Sequence, residues 1–123
     1  MTKTIATDQA CLFCRIIRGE IPSTKLAESD HSLIIADIAP QAPFHALVLP
    51  KRHAADIGVF MQGPTASMEM AELFDQALSL IKDRQIDQKG YRLVINTGQE
   101  GGQTVGHLHL HLLAGRPLGW PPG

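Results

Sequence analysis

The sequence predicts an α+β domain built on an antiparallel sheet. The predicted elements run helix, three strands, helix, two strands, without the regular strand-helix alternation of a parallel sheet. One long segment has apolar residues at helical spacing, whereas the strand segments are short and apolar. A chain of 123 residues suits one domain and buries roughly two-thirds of its unfolded surface, so it needs no disulfide or metal to fold.

Local patterns define the elements in chain order. The run from Cys11 to Arg18 has the apolar spacing of one helix face, and Gly19 ends it. Gly63-Pro64 opens the long helix, because proline is favoured at the first helical position, and this helix fades near Gln85 to Gln88. The predicted strands are Lys25 to Glu28, Ser32 to Asp37, His45 to Leu49, Tyr91 to Asn96 and His107 to Leu113. Residues 1–10 are expected to be a flexible tail before a single domain, 11–123.

Composition and charge exclude several kinds of partner. Eleven Lys and Arg against twelve Asp and Glu give a formal charge of −1, which argues against sequence-independent binding to nucleic acid or to a membrane surface. The N-terminal residues lack the apolar stretch of a signal peptide, and no window approaches a membrane span. Two cysteines are too few for a typical secreted disulfide scaffold. We therefore expect a cytoplasmic protein.

Three of the six histidines alternate along the last predicted strand. His107, His109 and His111 would lie about 6.7 Å apart on one face, with the intervening leucines in the core. Imidazoles grouped in this way can bind a metal, transfer protons or act as a nucleophile. The alternative is a half-exposed strand whose polar face is histidine by chance. The rarity of histidine favours the functional interpretation.

The connection before this strand, Gly98 to Gly106, is rich in glycine. It offers backbone N–H groups, the Thr104 hydroxyl and the Gln103 amide close to the histidines. Glycines permit close backbone approach, and convergent N–H donors suit a phosphate. Such a connection is often only a loop, but its position next to the histidines favours phosphate binding.

Two cysteines and two histidines form a possible metal site. Cys11 and Cys14, spaced C-x-x-C, together with His53 and His107 would make an acceptable tetrahedral zinc shell. Two alternatives remain open: a pair of reduced thiols on a short helix, and a redox dithiol.

The segment GGQTVGHLHLHLLAG, Gly101 to Gly115, resembles the signature of the histidine triad (HIT) superfamily. The blocks FCRIIRGEIP, DIAPQAP and HALVLPKRH resemble other blocks of that family in the same order, so the resemblance spans Cys11 to Gly123. The ending Trp120-Pro121-Pro122-Gly123 is similar to that of the Hint branch, the histidine triad nucleotide-binding proteins. This resemblance implies a HIT-like fold: a five-stranded antiparallel sheet with one short and one long helix, which dimerises into a ten-stranded sheet.

The same resemblance implies an activity and its residues. Members of this branch are phosphoramidases that cleave the P–N bond of purine nucleoside phosphoramidates, and they also bind purine nucleoside monophosphates. His109 would be the nucleophile that forms a nucleotidyl-histidine, and His111 would bind the phosphate and assist the leaving amine. Thr104 would contact the leaving-group side of the phosphate, and His45 would support the site from the neighbouring strand. The implied nucleotide contacts are Asp37 with the ribose, Asn96 and Gln103 with the phosphate region, and a base pocket of Phe13, Ile16, Ile21, Ile35 and Leu47.

Further implications concern cofactors, assembly and alternatives. No cofactor is required for catalysis, and some relatives in the superfamily hold a structural zinc. The tail, residues 113–123, would lie near the active site of the partner in a homodimer. Thr104 stands where serine is common, and Gly106 stands where a bulkier residue is frequent, which would open the approach to the histidines. The alternatives are a dinucleoside polyphosphate hydrolase or nucleotidyl transferase of the same superfamily, and a non-catalytic nucleotide- or zinc-binding adaptor.

Overall fold

The chain forms the five-stranded antiparallel sheet with helices that the sequence predicts. The computed structural model describes residues 7–123. The elements are α1 (Leu12–Ile17), β1 (Lys25–Glu28), β2 (Ser32–Ala36), β3 (Phe44–Pro50), α2 (Ile57–Phe60), α3 (Ala66–Asp83), a 3₁₀ turn (Ile86–Gln88), β4 (Tyr91–Ile95) and β5 (Leu110–Ala114). The strand order is β1-β2-β3-β5-β4, and every neighbouring pair is antiparallel. No helix within residues 7–123 has both the length and the apolar character needed to cross a membrane.

The position of β5 between β3 and β4 brings two histidines together. His45 of β3 pairs with Leu113 of β5, so it is diagonal to His111 on the same face of the sheet. Val94 of β4 lies opposite His111 on the other side. The sheet topology therefore gathers side chains that are 66 residues apart in sequence.

Each face of the sheet carries its own apolar cluster. The cluster between the sheet and α3 consists of Ile34, Ala46, Val48, Leu73, Ala77, Leu80, Ile81, Leu110 and Leu112. The cluster between the opposite face of the sheet and α1 consists of Phe13, Ile16, Leu33, Ile35, Leu47 and Leu49. Because successive strand residues point to opposite faces, β2 and β3 contribute to both clusters, which explains their continuous apolar runs.

The predicted starts of two elements are wrong by two residues or more. The long helix begins at Ala66 with Thr65 as its N-cap, so Pro64 precedes the helix instead of occupying its first position. The last strand begins at Leu110 instead of His107. The Leu108 N–H donates to Ala54 O instead of to a neighbouring strand, so the extended chain before Leu110 leaves the ladder.

A buried ion pair fixes the segment that follows β3. Glu69 of α3 is 4% exposed, and both of its carboxylate oxygens accept from Arg52 Nε, at 3.0 and 3.1 Å. Arg52 Nη2 also donates to Phe60 O at 3.0 Å, and the Thr65 hydroxyl donates to Glu69 at 2.8 Å. One arginine therefore joins this segment to α2 and α3, directly beside His53.

We expect Arg52→Met to lower the free energy of unfolding by about 3 kcal/mol, because removal of one partner leaves the other charge buried without compensation. Urea unfolding monitored by circular dichroism measures this change. The double variant Arg52→Met/Glu69→Met, which removes both charges, should recover most of the loss. A single variant as stable as the wild type would contradict this interpretation of the pair.

Candidate active site and metal centre

Asp37, His45 and His111 lie together on the face of the sheet opposite α3, and the two histidines are hydrogen-bonded. His45 Nε2 lies 2.9 Å from His111 Nδ1 and 3.4 Å from Asp37 Oδ2. The Gln41 backbone N–H donates to His45 Nδ1 at 3.0 Å. Because Nδ1 is thus an acceptor, neutral His45 carries its proton on Nε2 and donates it to His111 Nδ1. Neutral His111 therefore has its own proton on Nε2, where it can donate to an anion.

The ring of His109 is oriented by a backbone carbonyl. His109 Nδ1–H donates to the carbonyl oxygen of His107 at 2.8 Å, which leaves the lone pair of the neutral ring on Nε2. The ring is 4% exposed and packs edge-on against Phe13, with centroids 5.1 Å apart. Its centroid lies 5.0 Å from that of His111. An oriented lone pair beside a proton donor is the arrangement that nucleophilic catalysis requires.

Burial favours the neutral form of three imidazoles, those of His45, His107 and His111. It is the largest cause that lowers the pKa of His45 and of His111, and in both residues the Asp37 carboxylate partly opposes it. The neighbouring rings of His109 and His45 lower the pKa of His111 further. Burial also lowers the pKa of His107 to about 4. At neutral pH His45, His107 and His111 are therefore uncharged rings with defined proton positions.

The predicted metal ligands converge as the sequence suggests. Cys11 Sγ and Cys14 Sγ each lie 3.5 Å from His107 Nδ1, Cys14 Sγ lies 3.4 Å from His53 Nδ1, and the two Nδ1 atoms are 3.2 Å apart. A regular tetrahedron around zinc has S–N edges of about 3.5 Å and an N–N edge of about 3.3 Å. The four atoms, all within 4.8 Å of one another, therefore fit this geometry.

The protonation pattern of the cluster also suits a cation. His107 Nε2–H donates to Pro50 O at 2.8 Å, so its lone pair lies on Nδ1 and points into the cluster. Burial raises the pKa of the Cys14 thiol to about 11, so a metal ion would have to displace a proton there. Four electron-pair donors around one point are electrostatically favourable only with a cation or protons between them.

Asp8 supports the same cluster, although the sequence analysis assigns it to the N-terminal tail. Its backbone N–H donates to Cys14 Sγ at 3.4 Å, and its carboxylate lies 3.9 Å from His53 Nε2. Part of the predicted tail is therefore bonded to α1 and to the cluster. Residues 1–6 of that tail lie outside the described residues.

The five residues of the predicted base pocket belong to one apolar cluster. Phe13, Ile16, Ile35 and Leu47 are buried in it, and Ile21 is partly buried against it. Leu33 and Leu49 share the cluster, although the sequence analysis does not name them. Since Phe13 also touches His109, this apolar cluster adjoins the oriented imidazole. The structure thus brings the pocket residues together, and their contact with a nucleotide base stays a prediction.

The remaining predicted site residues separate into two clefts. A cleft of about 490 Å³ contains Asn96 together with His45, His111 and Arg92, and the tail residues Pro122 and Gly123 line it in the same chain. Thr104 is exposed and instead lines a second cleft, also of about 490 Å³, with Cys11 and His53. Contact of the tail with a partner's site concerns a dimer and stays a prediction.

Several groups that define the site have no sequence signal. The carbonyls of His107 and Pro50 and the N–H of Gln41 set the proton positions of three rings, yet every residue except proline carries both backbone groups. Asp8 could have been suspected only from its closeness to Cys11 in sequence.

The fold and the site together define a class: a small α+β domain with an oriented imidazole, a hydrogen-bonded pair of histidines and four Cys and His side chains whose geometry fits a metal ion. A family model described as the HIT domain matches residues 18–118, so the chain belongs to the HIT family.

Relatives across bacteria, fungi and plants resemble the whole domain. A HIT family hydrolase from Legionella pneumophila Philadelphia 1 is 45% identical, with a TM-score of 0.86 over 92% of this chain and 99% of that chain. A histidine triad nucleotide-binding protein from Candida albicans is 33% identical, with a TM-score of 0.77 over 91% and 83%. A 14 kDa zinc-binding protein from Brassica juncea is 40% identical over 112 residues, which covers 91% of this chain and 98% of the relative.

We expect Asp37→Asn to lower the pKa of both His45 and His111 further, because this carboxylate is the group that raises both. A histidine whose pKa is lower in the folded state than in the unfolded state destabilises the fold as pH falls through the interval between the two values. The variant extends that interval to lower pH. NMR titration of the Cε1–H resonances measures the change, with the exposed Asp30→Asn as control. A rise in either pKa would contradict the assignment.

Proposed function

We propose that the protein is a nucleotide-binding hydrolase of the Hint branch that cleaves the P–N bond of purine nucleoside phosphoramidates. The observation that carries this proposal is the hydrogen bond from His109 Nδ1–H to the His107 carbonyl, which directs a lone pair to Nε2. Neutral imidazole is nucleophilic near pH 7. The names of the Legionella hydrolase and the Candida nucleotide-binding protein support two parts of this proposal, hydrolysis and nucleotide binding.

The proposed reaction has two steps with His109 as the nucleophile. The Nε2 lone pair of His109 attacks the α-phosphorus, and the P–N bond to the leaving amine breaks. An incoming phosphate anion favours the protonated form of His111, which gives its proton to the leaving nitrogen. In the second step water attacks phosphorus, and His111 takes the proton of the water on the Nε2 that gave up its proton in the first step. The electron pair returns to His109 Nε2. The products are an amine and a nucleoside monophosphate.

The relay behind His111 would tune this proton transfer. His45 donates to His111 Nδ1 and itself lies within 3.4 Å of Asp37. The Asp37 carboxylate then favours a positive charge on His111, although burial and the neighbouring His109 and His45 rings oppose it before the substrate binds. We propose further that Asn96 binds a phosphate oxygen, that Asp37 accepts from the ribose hydroxyls and that Thr104 contacts the leaving group.

We also propose that Cys11, Cys14, His53 and His107 hold a structural zinc ion. When bound, the ion would cross-link α1, the segment after β3 and the chain before β5. The convergence of the four ligand atoms supports this proposal, and so does the name of the Brassica zinc-binding relative. Because His107 also supplies the carbonyl that orients His109, a fixed His107 would keep the nucleophile in place. No proton is transferred through the metal site in the proposed reaction.

For the assembly we propose a cytoplasmic homodimer. Strand β4 is an edge of the sheet, and its residues are exposed or only partly buried. An unpaired edge strand can continue a sheet into a second copy. Trp120 of the tail is 83% exposed, which fits a tail that reaches the site of the partner.

We expect His109→Ala to reduce turnover of adenosine 5′-phosphoramidate by more than about 10³-fold, because it removes the attacking atom. Binding of adenosine monophosphate should remain, since the apolar cluster and Asp37 are unchanged. Quenched-flow mass spectrometry of wild type should detect a nucleotidyl adduct that the variant lacks. Unchanged turnover would exclude the covalent mechanism. Faster turnover of a diadenosine polyphosphate in a parallel assay would favour the alternative hydrolase.

We expect the protein to bind one zinc ion per chain and to unfold at lower temperature after chelation. A ligand present at 100 times its dissociation constant stabilises the fold by about 2.7 kcal/mol. Elemental analysis and thermal unfolding measure both effects. Cys14→Ser should lose the metal, whereas Leu12→Ser, on the exposed side of the same helix, should keep it. Equal melting temperatures with and without zinc would contradict the structural role.

We expect the protein to elute as a dimer at micromolar concentration. Size-exclusion chromatography with light scattering measures the mass directly. A monomer of 13.4 kDa as the sole species would exclude the proposed ten-stranded sheet.

A further inference from the structure

The side chain of Gln103 is fully occupied by backbone groups. Its Nε2 donates to Ala55 O at 2.6 Å and to Val105 O at 2.9 Å, and its Oε1 accepts from the Gly98 N–H at 3.1 Å. An amide nitrogen carries two protons, so both are already donated to carbonyls. This arrangement leaves no N–H of Gln103 for the phosphate contact that the sequence analysis assigns to it.

These bonds close the glycine-rich loop on itself. The Gln103 backbone N–H donates to Gly98 O at 3.0 Å, while the Gly98 N–H donates to the Gln103 side chain. The two residues therefore exchange a reciprocal pair of hydrogen bonds. Gly98 and Gly102 have φ of 72° and 80°, in the left-handed region that favours glycine. A Cβ at Gly101 would lie 2.2 Å from Thr97 O. The loop thus has one well-defined shape, which Gln103 locks.

The same side chain ties this loop to the segment that carries a metal ligand. Ala55 lies two residues after His53, and its neighbour Ala54 accepts from the Leu108 N–H. The bond to Val105 fixes the chain immediately after Thr104, and the bond to Gly98 fixes the chain before it. Thr104 is therefore held between two anchored points while its own side chain is exposed to the clefts.

We propose that Gln103 is a positioning residue that sets the Thr104 hydroxyl for departure of the leaving group. This inference rests on the proposed function, in which Thr104 contacts the leaving group. Gln103 then acts on the reaction through Thr104 and has no direct contact with the nucleotide. Loss of its bonds should reduce the rate of P–N cleavage and leave the affinity for the nucleotide unchanged.

The test replaces the amide by a carboxylate of the same size. Gln103→Glu places a carboxylate oxygen, which can only accept, against two carbonyl oxygens. For a phosphoramidate with an alkylamine leaving group we expect kcat to fall about 10- to 100-fold, as for other supporting residues. The fall should be much smaller for a phosphorimidazolide, whose leaving group needs less assistance. The dissociation constant for adenosine monophosphate should not change. Gln99→Glu adds the same charge to the same loop and should keep the wild-type dependence on the leaving group.

A double-mutant cycle distinguishes positioning from a separate effect. If Gln103 acts through Thr104, Gln103→Glu/Thr104→Val should be no slower than Thr104→Val alone. Additive losses would overturn the proposal, and so would equal losses for both leaving groups. Gln103→Met, which has no charge, replaces Gln103→Glu in the cycle if the latter does not fold.

Failure of the proposed function would be distinguishable from failure of this inference. The Gln103 side-chain amide protons should be protected from exchange in the wild-type protein whatever its substrate. Rapid exchange of both protons would overturn the proposal independently of any activity. Protected protons in a protein that cleaves no phosphoramidate would contradict the proposed function and, with it, the role assigned to Gln103 in cleavage.

Discussion

One hydrogen bond, from His109 Nδ1–H to the carbonyl of His107, connects the two centres of this protein. The side chain of His107 points into the cluster of two cysteines and two histidines, and its carbonyl orients the ring of His109, two residues later. A single residue therefore belongs to both sites, through different groups. Because its acceptor is a backbone carbonyl, no substitution of the His107 side chain removes the bond directly while His109 is present. It is lost only if the chain around His107 moves, which the four-ligand cluster would oppose.

The electrostatic character of the site follows from burial. In water these imidazoles would be partly protonated near pH 6.5, and a protonated His109 would have no lone pair. Burial lowers the pKa of His45 and His111 and favours neutral rings, while Asp37 keeps protonation of the relay accessible. An anionic partner beside His111 shifts that balance at the moment when an acid is required. A neutral site therefore suits a substrate that brings its own negative charge.

The sequence predicts the sheet and both main helices, because alternation and helical spacing are local signals. It places His107, His109 and His111 on one strand, whereas only His111 lies in β5. The difference arises from Pro50, which ends β3 and offers its carbonyl to His107. Asp8 is also outside what sequence could reveal, since one acidic residue in a polar tail has no distinguishing pattern. The occupied amide of Gln103 could not be predicted either, because its partners are backbone groups of its own loop and of the segment after β3.

The short helix α1 shows why the metal cluster and the apolar pocket depend on each other. A helix of six residues is far below the length at which helices are stable alone in water, so tertiary contacts must hold it. Cys11 caps its first turn and Cys14 lies within it, while Phe13 and Ile16 face the apolar cluster that adjoins His109. A metal ion bound by the two cysteines would therefore fix the same turn that supplies the pocket. Loss of that ion should loosen Phe13 against His109, so that binding of a nucleotide base and orientation of the nucleophile weaken together.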